Sequence, residues 1–89
     1  GAAPQFVTLV VDATGQAYLD DQPFSQAALV ERLQRISAAR PDTEVQLRAD
    51  ASVPYGRVVE VMGAASAAGL WRIGFVADSP QSGAVKNQN

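Results

Sequence analysis

Four residues, Asp12-Ala13-Thr14-Gly15, place a carboxylate in a stretch where it could in principle activate water, as in an aspartic protease. The same residues make an ordinary polar hairpin loop, and that account is preferred because short polar side chains and glycine favour tight turns. Asp20 and Asp21 are adjacent, so on an extended turn they point to opposite sides and read as a solvated turn, not an acid/base pair. Asp50 is the more interesting carboxylate. It follows a strand-like segment, at the carboxyl end where α/β folds tend to place ligands, although turn-making or capping of the next helix explains it at least as well. The chain has no histidine and no cysteine, which removes the commonest general base, the commonest metal ligand and the activated thiol. There is no Gly-rich loop closing on Lys-Ser or Lys-Thr, no nucleophile elbow and no metal-ligand spacing. The expectation is a protein that is not an enzyme and takes no cofactor and no metal.

Binding is the remaining class, and the small size limits how it can be done. With 89 residues, 47% hydrophobic and 18% charged, the chain can build one modest core and one domain. Its formal net charge is -2, and the Lys and Arg residues are scattered instead of forming a stripe that could neutralise phosphates, so nucleic acid is not an expected partner. No apolar run reaches the roughly 18 residues needed to cross a bilayer. Gly1-Ala2-Ala3-Pro4 looks like a cut point in a flexible linker over residues 1–5, so the chain is expected to be a piece of a longer protein.

The elements follow from periodicity. Phe6 to Val11 is rich in β-branched residues and enters the Asp12 to Gly15 turn, with a short return strand over residues 16–19. Asp20-Asp21-Gln22-Pro23 reads as a second turn that ends the pairing. Ser25 is a good N-cap for a helix running to about Arg40, with Leu29, Leu33 and Ile36 on its core face and Glu31 and Arg35 as an i,i+4 pair on the other. Pro41 stops that helix. Glu44 to Ala49 alternates, with Val45, Leu47 and Ala49 buried and Glu44, Gln46 and Arg48 wet. A second helix starts near residues 52–54, carries Val58, Val61, Met62 and Ala65 as its apolar stripe, and ends at Gly69. The last strand spans residues 71–77, and the polar stretch 79–89 is expected to be disordered.

These elements predict an α+β two-layer sandwich, ββαβαβ, with a four-stranded mixed sheet and both helices on one face. The expected spatial order is second, first, third, fourth strand, so the return strand and the last strand are the edges. The face opposite the helices should carry Phe6, Thr8, Val10, Gln46, Arg48 and Arg72. The small-residue run Gly63, Ala64, Ala65, Ser66, Ala67, Ala68 lets the second helix lie close to whatever it packs on, preferably the domain's own sheet. Tyr55 and Trp71 lie near element ends, where an amphipathic aromatic serves either a half-buried core position or an interface.

Arg48-Ala49-Asp50, Val53-Pro54-Tyr55, Val59-Glu60-Val61-Met62, Ala68-Gly69-Leu70 and Ile73-Gly74-Phe75-Val76, in this order and spacing, resemble the periplasmic domain of the ExbD/TolR family. The upstream Val11-Asp12, Gly15 and Leu29/Leu33 pattern is similar too, so the resemblance covers about residues 6 to 78. It implies a subunit of a Gram-negative inner-membrane motor that converts the proton gradient into work on an envelope protein. In that family a membrane helix with an essential aspartate precedes this domain and meets an ExbB-like membrane subunit. The domain itself dimerises and engages a TonB-like energy transducer in the ExbD branch, or peptidoglycan and the Tol-Pal machinery in the TolR branch. The intact Arg48-Ala49-Asp50 looks more like ExbD, whereas Val53-Pro54-Tyr55 occurs in both branches.

A mixed sheet with an unpaired edge can accept an extended segment as an added strand. The expected partner and dimer surface is therefore the last strand, Trp71, Arg72, Ile73, Gly74, Phe75 and Val76. A competing expectation is a cell-wall binder in which Arg48, Asp50, Tyr55 and Arg57 offer hydrogen bonds to glycan or peptide. A small hydrolase using Asp50 or Asp20 is the third and weakest.

Overall fold

In the computed structural model, residues 5–76 are described, and the expectations for residues 1–4, for Ala77 as a strand end and for the tail 79–89 lie outside them. The elements are β1 (Phe6–Val11), β2 (Ala17–Leu19), β3 (Gln22–Phe24), α1 (Gln26–Ala39), β4 (Glu44–Ala49), α2 (Tyr55–Ala67) and β5 (Arg72–Phe75). They form a five-stranded sheet in the order β3-β2-β1-β4-β5. β1 pairs antiparallel with β2 and β2 with β3, while β1/β4 and β4/β5 are parallel.

The expected α+β class holds, and the order of the four expected strands holds within it, but the sheet has a fifth strand. The second turn is only Asp20-Asp21, both with positive φ of 48° and 73°. That is the backbone of a two-residue hairpin turn, and aspartate tolerates it better than most residues. Leu19 then pairs with Gln22 and Tyr18 with Pro23, so residues read as part of the turn become β3. Pro23 is compatible because its missing N–H falls on a strand with no further neighbour. The return strand is therefore interior, and the edges are β3 and β5.

Alternation places Leu9 and Val11 of β1 and Val45 and Leu47 of β4 on the helix side, fully buried against Leu29 and Leu33 of α1 and Val61 of α2. Each such side chain contributes about 1.5–3 kcal/mol on burial. Ser25 caps α1 by accepting from the Ala28 N–H at 3.2 Å. On α2 the innermost residues are Val61, Ala64 and Ala65, and Met62 is 37% exposed instead of joining the expected stripe. The small side chains face inward where α2 lies against α1, which rotates Met62 outward. Just past the end of α2, Gly69 (φ +97°) also lies close to α1, where an added Cβ would come within 2.9 Å of Ser37 Oγ.

Candidate functional site

β5 pairs with β4 on one side, and no described strand lies on its other side. The main-chain direction follows from the ladder. Val76 N–H donates to Leu47 O at 2.8 Å, so even-numbered residues of this segment face β4 and the backbone groups of Ile73 and Phe75 lie on the outer side, where the Ile73 N–H donates to Trp71 O at 3.2 Å and the Phe75 N–H and the two carbonyls are left for a neighbour. Side chains alternate at right angles to this. Ile73 and Phe75 are in register with Val45 and Leu47, on the helix side, while Arg72 and Gly74 are in register with Glu44 and Gln46 on the open face.

Beside this edge lies a cleft of about 640 Å³, lined by Ala49, Asp50, Ala51 and Val53, by Tyr55, Val58 and Met62 of α2, and by Phe75. Its rim carries large apolar side chains in water: Tyr55 is 82% exposed and Phe75 58%. Trp71, at the other end of β5, is 74% exposed. An outward row of backbone donors and acceptors next to an apolar hollow is what an extended peptide needs, with the main chain giving grip and the hollow taking a side chain.

On the open face, Glu44 extends over Gly74, whose added Cβ would meet Glu44 Oε2 at 3.3 Å. Arg72 is exposed and forms no ion pair among the described residues, where the ion pairs are Arg35–Glu31 at 3.6 Å and Arg57–Glu60 at 3.2 Å.

Of the residues expected for a cell-wall site, Asp50 lines both the hollow it shares with Arg48 and the cleft that holds Tyr55, whereas Arg57 lines neither. Arg48 is exposed on the open face and shares a shallow hollow with Asp12 and Asp50 at the carboxyl ends of β1 and β4. Asp50 accepts from Ser52 Oγ at 2.5 Å and Ser52 N–H at 2.9 Å. The Ser52 hydroxyl, then its amide, hold the Asp50 carboxyl below its ordinary value, and the nearby Asp12 charge works against them. Tyr55 belongs to the apolar cleft. Arg57 is engaged inside the domain: Nε donates to Gly15 O at 2.8 Å and Nη1 to Gln26 Oε1 at 2.8 Å and Glu60 Oε1 at 3.2 Å.

Asp12 organises the β1–β2 loop. It accepts from Thr14 Oγ1 at 2.6 Å, Thr14 N–H at 2.9 Å, Gln16 N–H at 3.1 Å and Tyr18 OH at 3.1 Å. The Thr14 hydroxyl contributes most to holding its carboxyl below the ordinary value, and the Tyr18 phenol is raised because it donates to that carboxylate. This loop is thus the polar hairpin anticipated from the sequence. Among the described residues no group of three or more His, Cys, Asp or Glu is placed to hold a metal ion. No described helix is long and apolar enough to cross a membrane.

Sequence reasoning found the edge strand and missed the cleft. The hollow is assembled from three segments, ending β4, opening α2 and closing β5, and the signal that could have found it was Met62 and Val58 lying off the small-residue face of α2.

Comparisons with known proteins agree with the resemblance. The model of the family described as biopolymer transport protein ExbD/TolR matches residues 1–79. The Tol-Pal system protein TolR of Pseudomonas aeruginosa is 34% identical over 85% of this chain and 60% of its own length. The biopolymer transport protein exbD1 of Xanthomonas campestris pv. campestris is 34% identical over 85% of this chain and 53% of its own length. The chain thus spans between half and two thirds of these relatives, and they bear the names of both branches at equal identity. The chain belongs to the ExbD/TolR family of biopolymer transport proteins.

Proposed function

We propose that this chain is the periplasmic domain of a single-pass inner-membrane motor subunit from a Gram-negative bacterium, and that it transmits force to a partner docked on β5. The observation that carries this is the outer edge of β5, with no neighbouring strand among the described residues, where the Phe75 backbone groups and the Ile73 carbonyl point outward beside an apolar cleft. A strand added there is held by several main-chain hydrogen bonds loaded together, a suitable geometry for pulling. The context of this reading is a proton-driven complex with an ExbB-like membrane subunit, a second copy of this chain and a TonB-like energy transducer for outer-membrane import, and membership of the ExbD/TolR family supports it. Titrating the labelled chain with the periplasmic segment of a TonB-type transducer tests it. Amide shifts are expected along residues 71–76, and their absence there and along Phe6–Val11 defeats the proposal.

A second reading, a TolR-like stator domain that binds peptidoglycan, is favoured by the TolR relative and by Arg48 meeting Asp12 and Asp50 in a shallow hollow. Sedimentation with purified peptidoglycan checks it: retention of the chain that is lost on Arg48→Ala supports the stator, and a free chain in the supernatant removes it.

A further inference from the structure

We infer that Met62 is a modification site: a two-electron oxidant converts its thioether to the sulfoxide, and the added oxygen closes the cleft to apolar occupants while leaving the fold intact. This inference rests on the reading of the cleft as the seat of a partner's side chain, and it names a chemical event that regulates that seat.

The chain has one methionine and no cysteine, so Met62 carries its only sulfur. A methionine inside a core loses its packing when it is oxidised. Here the buried core is made of leucine, valine and alanine. Met62 stands outside it, 37% exposed, because Val61, Ala64 and Ala65 are the residues that α2 turns inward. An oxidant in solution therefore reaches the sulfur without unfolding the chain, and the oxygen it leaves behind is hydrated. With a peroxide the step is complete in itself. A sulfur lone pair attacks one peroxide oxygen, the O–O bond breaks as the S–O bond forms, and the proton on the transferred oxygen moves to the departing one, which leaves as water. Sulfur is oxidised by two electrons and the peroxide is reduced by two.

The surroundings of Met62 set the consequence. It shares the cleft with Ala49, Ala51, Val53, Val58 and Phe75, whose side chains have no polar atom. The polar side chains in the same lining are Asp50, a carboxylate that only accepts, and Tyr55, whose ring is 82% exposed at the rim. A sulfoxide oxygen accepts hydrogen bonds and has no proton to give. An apolar side chain seated in the cleft strips water from that oxygen and offers it no donor, and an acceptor buried without a partner bears its full desolvation penalty. The free chain bears none, so the modification acts on occupancy and not on folding. It is also reversible, because sulfoxide reductases return the thioether, with the oxygen leaving as water at the expense of thiols.

The test treats the full chain with dilute hydrogen peroxide and locates the gain of about 16 Da by peptide mass. Met62→Leu, close in volume and without sulfur, is carried beside it. The expected result is oxidation of Met62 within about tenfold of the rate of free methionine, with the unfolding midpoint unmoved. Affinity for the TonB-type transducer segment falls about tenfold or more and returns on treatment with sulfoxide reductases, whereas Met62→Leu binds like the parent and ignores peroxide. A sulfur that stays unoxidised in the folded chain overturns the inference, as does a Met62→Leu chain that loses affinity with peroxide as the parent does. Prodan, an uncharged apolar naphthalene dye, is titrated in parallel as a cleft ligand that needs no transducer. Dye binding that is lost on oxidation, with a segment that binds neither form, overturns the docking reading and leaves the modification standing. A segment that binds both forms equally overturns the modification and leaves the docking reading standing, and a chain that binds neither ligand in either form overturns both.

Discussion

Arg57 on α2 and Gly15 in the β1–β2 loop, 42 residues apart in sequence, are joined by a hydrogen bond of 2.8 Å from the guanidinium Nε to the glycine carbonyl. The same guanidinium reaches Gln26 at the start of α1. One side chain, only 20% exposed, thereby ties the hairpin to both helices.

Arg57→Ala is expected to lower stability by about 1–3 kcal/mol, since it removes charge-assisted hydrogen bonds and leaves a carbonyl unpaired. Denaturant unfolding reads this as a lower midpoint with an unchanged slope. Arg57→Lys should recover little, because a single ammonium cannot serve Gly15 and Gln26 in the geometry of the planar fork. Full recovery by lysine would show that the brace is unimportant.

Asp12 predicts an acid-side loss of stability. Its folded pKa lies below the ordinary 3.8, with the Thr14 hydroxyl as the largest cause. A depressed carboxyl contributes stability that is present above the unfolded value and is lost as pH falls through the folded one. Unfolding midpoints of the parent chain should therefore drop below about pH 4, and Asp12→Asn should flatten that drop. Tyr18 has the opposite sense: its raised phenol pKa gives stability that is present below the unfolded value and is lost as pH rises through the folded one. An Asp12→Asn variant with an unchanged acid limb would refute the assignment.

Gly69→Ala should cost about 1–3 kcal/mol, because φ there is +97° and the new methyl meets Ser37 Oγ at 2.9 Å. Adding Ser37→Gly removes the close contact but not the backbone strain. The double variant is therefore expected to recover only part of the loss in thermal unfolding, and complete recovery would show that backbone strain is absent.

Several of these features were legible in the chain itself. Alternation along Glu44–Ala49 and the Ser25 cap were read directly, because each depends on residues near in sequence. The Glu31–Arg35 pair was legible for the same reason. β3 was hidden because Pro23 argues against a strand anywhere but at an edge, and the edge is known only once the sheet is assembled. Likewise, Arg57 is expected from the sequence to offer hydrogen bonds to glycan or peptide, whereas in the fold its Nε donates to the hairpin carbonyl of Gly15, 42 residues away, a partner that no local pattern reveals. The exposure of Met62 depends on how closely α2 approaches α1 and thus on the small residues that α2 turns inward. The site itself divides in the same way: the edge strand could be anticipated from strand order, whereas the cleft needs three distant segments at once.

The central claim is that backbone groups on β5, and not a reactive side chain, are the working surface. Amide hydrogen exchange at Phe75, in dilute chain with and without a saturating transducer segment, tests it most directly. Slowing of about tenfold or more is predicted, because an added strand must detach before this outward N–H can exchange. Bound segment with an unaltered Phe75 rate, and protection confined to other parts of the fold, would contradict the account.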